Sequence, residues 1–172
     1  MGQVIRLFIQ IALLRRGPQD VPASPLLLAL TVGVYFVVTF VVSSVLPPVD
    51  GPWVAHLLLD VGFTLAWYFV LLRLLGRSER ILQTTTAVFG FQTVLSPVLV
   101  ISGWLIRRFQ QDSVWLFPVS LMGLGLLIWY IAVNGHVVKA ALEWSIYAAV
   151  ALVIAQTLLE QILVIAIFPG SG

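Results

Sequence analysis

The chain opens on a short amphipathic stretch. Gln3, Arg6 and Gln10 recur at helical spacing among Val4, Ile5, Leu7, Phe8, Ile11 and Leu14. That spacing predicts a helix over residues 3–16 lying in a membrane surface, one face in lipid and one in water. Beyond it the pattern changes to long apolar runs. A helix needs about 20 apolar residues to cross a hydrocarbon core of ~30 Å. Five runs reach that length: 25–46, 53–75, 81–106, 114–133 and 141–168. The expected fold is therefore all-α, a polytopic membrane protein with a bundle of five transmembrane helices behind an N-terminal interfacial helix. Residues 1–24 form the surface helix and linker, 25–168 the transmembrane domain and 169–172 a short tail.

Punctuation residues support these limits. Ser24 can cap the first span and Pro25 suits its first turn. Pro47-Pro48 stops that span and Pro52 opens the next, while Gly76, Asn134-Gly135 and Pro169-Gly170 mark other ends. A signal peptide over the first residues fits poorly, because Arg6 interrupts its apolar core and no small-residue cleavage site follows Arg15-Arg16.

Composition agrees: 60% of residues are hydrophobic and only 9% charged, against ~25% charged in soluble domains. A soluble domain of this size would leave roughly a third of its chain surface in water, so the solvent around most residues is lipid. The chain has no cysteine, which excludes thiol catalysis, disulfides and thiolate metal sites. Net charge is only +2, and nothing points to nucleic acid.

The distribution of charge says more than its sum. Lys and Arg favour cytoplasmic loops. Arg6, Arg15, Arg16, Arg73, Arg77, Arg80 and Lys139 fall on one side, and Arg107 and Arg108 on the other. This places the N-terminus in the cytoplasm and, with five spans, the C-terminus outside. Trp53, Trp104 and Trp115 fall at the predicted outer ends and Trp129 and Trp144 at the inner ends, as interfacial rings prefer.

Candidate chemistry lies within the spans. His56 and Asp60 stand one turn apart on the second span, with Asp60 about 10 Å from its outer end at 1.5 Å per residue. Gln156, Thr157, Glu160 and Gln161 share a face of the fifth span, with Glu160 about 12 Å deep. Antiparallel helices would bring Asp60 and Glu160 to one level, with no Lys or Arg there to neutralise them. Three readings stay open. The groups form a structural hydrogen-bonded cluster, they relay protons or accept a cation, or they bind a divalent metal. No tight metal or catalytic motif appears, and the expectation is no metal, no cofactor and no enzyme.

Other polar positions read as packing. Thr31, Tyr35, Thr39 and Ser43 recur every four residues on the first span, a seam of hydroxyls. Ser120, Gly123 and Gly125, and Ser145, Ala148, Ala151 and Ala155, offer thin surfaces for close helix approach. Pro97 removes a donor for the carbonyl of Thr93, with Gln92, Thr93 and Ser96 near enough to compensate. The connection around Arg77 and Arg80, with Lys139 on the next inner connection, could dock anionic lipid or an acidic partner.

The stretch GRSERILQTTTAVFGFQTVLSPV resembles the Yip (Ypt-interacting protein) family of polytopic membrane proteins. Its basic loop (Arg77, Arg80), threonine-rich helix start (Gln83 to Thr86), Gly90 and Pro97 carry the likeness. The following LLIWYIAVNGHVVKAALEWSIYAAVALVI resembles the family's next hairpin. Five spans with a cytoplasmic N-terminus match as well. The resemblance implies a non-enzymatic protein that organises membrane lipids and membrane-protein partners, itself included, in trafficking or membrane homeostasis. Eukaryotic relatives bind lipidated small GTPases through long N-terminal regions. The short segment here matches the compact prokaryotic form, and with it a bacterial inner membrane.

Overall fold

The structure, a computed structural model, describes residues 2–45, 53–112 and 114–168. Pro47-Pro48, Pro52, Pro169-Gly170 and the tail lie outside the described residues. Among the described residues, six α-helices follow in order: α1 (Gly2–Ala12), α2 (Pro25–Val45), α3 (Trp53–Leu74), α4 (Ile81–Arg108), α5 (Leu116–Leu142) and α6 (Ile146–Ile167). Helices α2 to α6 are each long and apolar enough to cross a membrane. The protein is an all-α polytopic membrane protein, with α1 as the short N-terminal helix.

Local chemistry sets several boundaries. The Ser24 hydroxyl accepts from the Leu27 amide at 3.3 Å, capping α2 as its position suggests. Gly76, at φ 69°, ends the α3 connection in the left-handed region open to glycine. Ser145 caps α6 by accepting from the Ala148 amide at 3.2 Å. Pro97 sits within an unbroken α4. The Ser96 hydroxyl reaches the Thr93 carbonyl at 3.5 Å, a long bond, while the Thr93 hydroxyl bonds Phe89 and Gln92 looks elsewhere.

Two sequence expectations need correction. Asn134-Gly135 does not end the fourth span: α5 runs through both to Leu142. In lipid an interrupted helix exposes unpaired backbone groups, so the chain keeps its ladder, and Gly135 serves packing instead. A Cβ there would meet Val150 of α6 at 2.8 Å. The reversal falls at Glu143, in left-handed conformation (φ 59°, ψ 32°), and α6 starts only at Ile146. The small-residue face of α6 is also turned away from the bundle. Ala148, Ala151 and Ala155 are exposed, whereas Ala149, Val153 and Gln156 are buried.

Helix α4 is the axis of the fold, with α1, α2, α3 and α5 packed around it. Its residues Thr84 to Gln92 form an unbroken buried run, which only a helix enclosed on all sides can have. Tyr35 of α2 meets Phe89 of α4 with ring centroids 5.4 Å apart, setting the register of this parallel pair. Helix α1 lays Phe8, Ile11 and Ala12 against the bundle. The Phe8 ring seats over Gly90, where a Cβ would overlap it. The Trp129 indole donates to the Ala12 carbonyl at 3.0 Å, pinning the end of α1 to α5. Beside this face, Ile5 and Ile9 of α1 are exposed. Around the bundle, α2 presents Leu26, Leu30, Val34, Val37 and Val41, all more than half exposed. Such a continuous apolar stripe would drive association in water and is the expected surface toward lipid.

Candidate functional site

Three helices converge on a pair of acids. The Tyr35 hydroxyl of α2 donates to Asp60 Oδ2 of α3 at 2.6 Å, a short bond of the kind made to a carboxylate. Glu160 of α6 lies against Asp60, the two carboxyls in side-chain contact. Asp60 stands seven residues from the Trp53 end of α3 and Glu160 seven from the Ile167 end of α6, each about 10 Å from its helix end. The depth match expected from antiparallel packing is thus realised. Glu160 turns inward because Ala149, Val153 and Gln156 do, at i, i+4, i+7 and i+11 of one face. Of the other polar residues on α6, Thr157 bonds its own helix at the Val153 carbonyl and Gln161 is exposed.

No cation balances the pair from within the bundle. Among the described residues, the spans carry Lys and Arg only in their last turns: Arg73, Arg107, Arg108 and Lys139. Two ionised carboxylates ~4 Å apart repel by about 4 kcal/mol even at an effective dielectric of 20. A proton or a small cation between them removes that repulsion.

His56 is one turn from Asp60, yet no hydrogen bond joins it to either acid. Its ring packs edge-on against Phe168, centroids 4.5 Å apart, and its Nε2 is buried without a hydrogen-bond partner among the described residues. Among the described residues, no three His, Cys, Asp or Glu side chains come together as a metal-ligand set.

A second polar group lies deeper in the bundle, toward the arginine-rich end. Gln92 Nε2 of α4 donates to the Tyr130 hydroxyl of α5 at 2.9 Å. The Tyr68 hydroxyl of α3 donates to Asn134 Oδ1 of α5 at 2.9 Å. Tyr130 also contacts Asn134, and it lies within electrostatic reach of both Asp60 and Glu160. Sequence reading missed these four residues. Tyr35 passed for a member of a packing seam and Asn134 for a helix stop. Only Gln92 carried a hint, as an amide inside an apolar span.

Comparison with protein-family models, with curated proteins and with solved structures finds no match.

The basic connection has a defined internal role. Arg80 Nη1 donates to the carbonyls of Ala140 and Ala141 at 2.9 and 3.1 Å, and Arg80 Nη2 meets Glu143 Oε1 at 2.5 Å. Arg77 Nη2 meets Glu143 Oε2 at 2.7 Å. Arg80 thus caps the C-terminal carbonyls of α5, where a cation also complements the helix dipole. Its hydrogen bond, and the charges of Arg77 and Arg80, hold the exposed Glu143 carboxyl below the ordinary glutamate range. A docking partner would compete with Glu143 for both arginines. Lys139 is exposed, in the α5 turn that Arg80 caps.

Proposed function

We propose that this protein takes up a proton at the Asp60–Glu160 pair and couples that uptake to transport or to a change in the bundle. The observation that carries the reading is the meeting of two acids and a tyrosine hydroxyl between α2, α3 and α6, with no Lys or Arg among the described residues of the spans outside their last turns. A structural cluster needs no second acid; an amide would bond as well without the repulsion. Intramembrane acids facing a bundle interior are the usual proton and cation sites of membrane proteins. His56 stands between the pair and the end opposite Arg77 and Arg80, with a ring nitrogen buried and without a hydrogen-bond partner among the described residues. On this reading the arginine-rich end faces the cytoplasm, in a bacterial inner membrane.

The test is proton flux in vesicles holding the purified protein, driven by an imposed pH gradient and read by an internal pH dye. Flux in the wild type should disappear in Asp60→Asn and in Glu160→Gln. The proposal fails if wild-type vesicles are no leakier to protons than empty ones, or if both variants keep wild-type flux.

The exposed Lys139 favours a second, Yip-like reading, in which the protein is a non-enzymatic organiser of lipids and partner proteins. Under it, Lys139→Ala together with Arg77→Ala should weaken association with anionic vesicles. Unchanged association would remove these residues from that role.

A further inference from the structure

We infer that the buried polar residues between α3, α4 and α5 form a hydrated proton path joining the acid pair to the arginine-rich end. The inference rests on the proposed proton uptake and adds its route and sidedness.

The steps can be followed along the bundle. Tyr130, one turn before Asn134 on α5, stands about 6 Å nearer the level of the acids than Asn134 does. It accepts from Gln92 and contacts Asn134, which accepts from Tyr68. Tyr68 lies eight residues beyond Asp60 on α3, about 12 Å nearer the arginine-rich end at 1.5 Å per residue. The register of α4 against α5 carries the line further. Gln92 pairs with Tyr130 and Arg80 with Ala140 and Ala141, so Thr84 to Thr86 lie between Asn134 and the Arg80 cap.

Orphaned polar atoms lie at these levels on α4 and, at Gln156, one turn inward of Glu160 on α6. The hydroxyls of Thr84, Thr85 and Thr86 and the Oε1 atoms of Gln92 and Gln156 are buried without hydrogen-bond partners among the described residues. These five residues are each at most 4% exposed. Buried polar groups are nearly always paired, with protein or with ordered water. Thr85 and Gln92, seven residues apart, share the face of α4 that meets Tyr130, and orphans on that face beside a polar group are what internal water would satisfy. Water and the hydroxyls of Tyr130 and Tyr68 can pass a proton along, while Gln92 and Asn134 orient them. The proton leaves bulk water at the arginine-rich end and arrives on a carboxylate oxygen of the pair.

The measurement is infrared spectroscopy of the full chain in vesicles, inserted in one orientation verified by protease. It follows the carboxyl C=O band that Asp60→Asn and Glu160→Gln abolish. After an acid jump on the arginine-rich side, the band should rise quickly in the wild type. Tyr68→Phe, which removes one oxygen, and Asn134→Leu should each slow it on the order of tenfold, the rate equivalent of one lost hydrogen bond. A jump on the opposite side should act more slowly than one on the arginine-rich side. Wild-type rates in both variants, or faster protonation from the opposite side, would overturn the path and leave the acid pair standing. Absence of any band sensitive to the two acid variants would remove the pair itself, and the path with it.

Discussion

Gly90→Ala should loosen α1 from the bundle. The nearest atoms to a Cβ at Gly90 are Cγ, Cδ1 and Cε1 of the Phe8 ring, and they overlap it. Because Cγ is among them, swinging the ring tip aside does not clear the space; the ring as a whole, and α1 with it, must shift. Overpacking of this kind typically costs about 1–3 kcal/mol. Alanine is also the better helix former by ~1 kcal/mol. That gain acts on α4 whether α1 is docked or not, so it cancels from the docking equilibrium. The undocked population should therefore rise roughly 5- to 150-fold, since each 1.4 kcal/mol is a factor of ten. Ala12 reports on this directly, being 3% exposed in the docked helix. The chain has no native cysteine, so Ala12→Cys gives a single thiol whose maleimide reactivity follows undocking. Reactivity should increase with Gly90→Ala, and the increase should vanish in a Phe8→Ala background, where no ring remains to collide. Equal reactivity with and without Gly90→Ala would refute the contact. An increase that persists without Phe8 would refute the ring as its cause.

Trp129→Phe removes the indole donor to Ala12 and should raise the same thiol's reactivity by about fivefold, the worth of about 1 kcal/mol. Tyr35→Phe should lower the stability of the bundle in detergent by about 0.6–2 kcal/mol, the usual size of a hydrogen bond between membrane helices; an unchanged unfolding midpoint would mean that Asp60 finds another donor. Arg80→Ala should free the carbonyls of Ala140 and Ala141, seen as faster amide exchange in the last turn of α5, and should return the Glu143 carboxyl toward the ordinary value of 4.5. The sign follows from linkage. Because folding depresses this carboxyl, its contribution is present above pH 4.5 and disappears as pH falls through the lowered folded value. The Tm difference between wild type and Arg80→Ala should accordingly shrink in acid; a difference that grows in acid would contradict the clamp.

Much of the architecture could be read from residues alone. Apolar run length called for five spans, because lipid forces any segment that crosses it to be helical. Ser24 and Gly76 marked boundaries by the side-chain and backbone chemistry they bring to them. The depth of Asp60 and Glu160 followed from counting residues along antiparallel helices.

Facing is where the residues alone fell short. A span that is apolar on every side has no stripe to say which way it points, since lipid and neighbouring helices are equally oily. Hence Ala148, Ala151 and Ala155 looked like a packing face but meet the outside, while Ala149 and Val153 carry Gln156 and Glu160 inward. Tyr35 needed the position of α3 before it could be seen as the donor to Asp60. Arg77 and Arg80 looked free because Glu143 lies more than sixty residues away in the chain. Asn134-Gly135 has the form of a turn, but lipid keeps the helical ladder intact there, and Val150 packs where Gly135 leaves room. The sequence alone determined how many helices cross and how deep their charges lie, because solvent polarity acts on each residue locally. Which charges meet was decided by tertiary packing, because in a bundle of uniformly apolar helices a few polar contacts and glycine gaps set the rotation of each one.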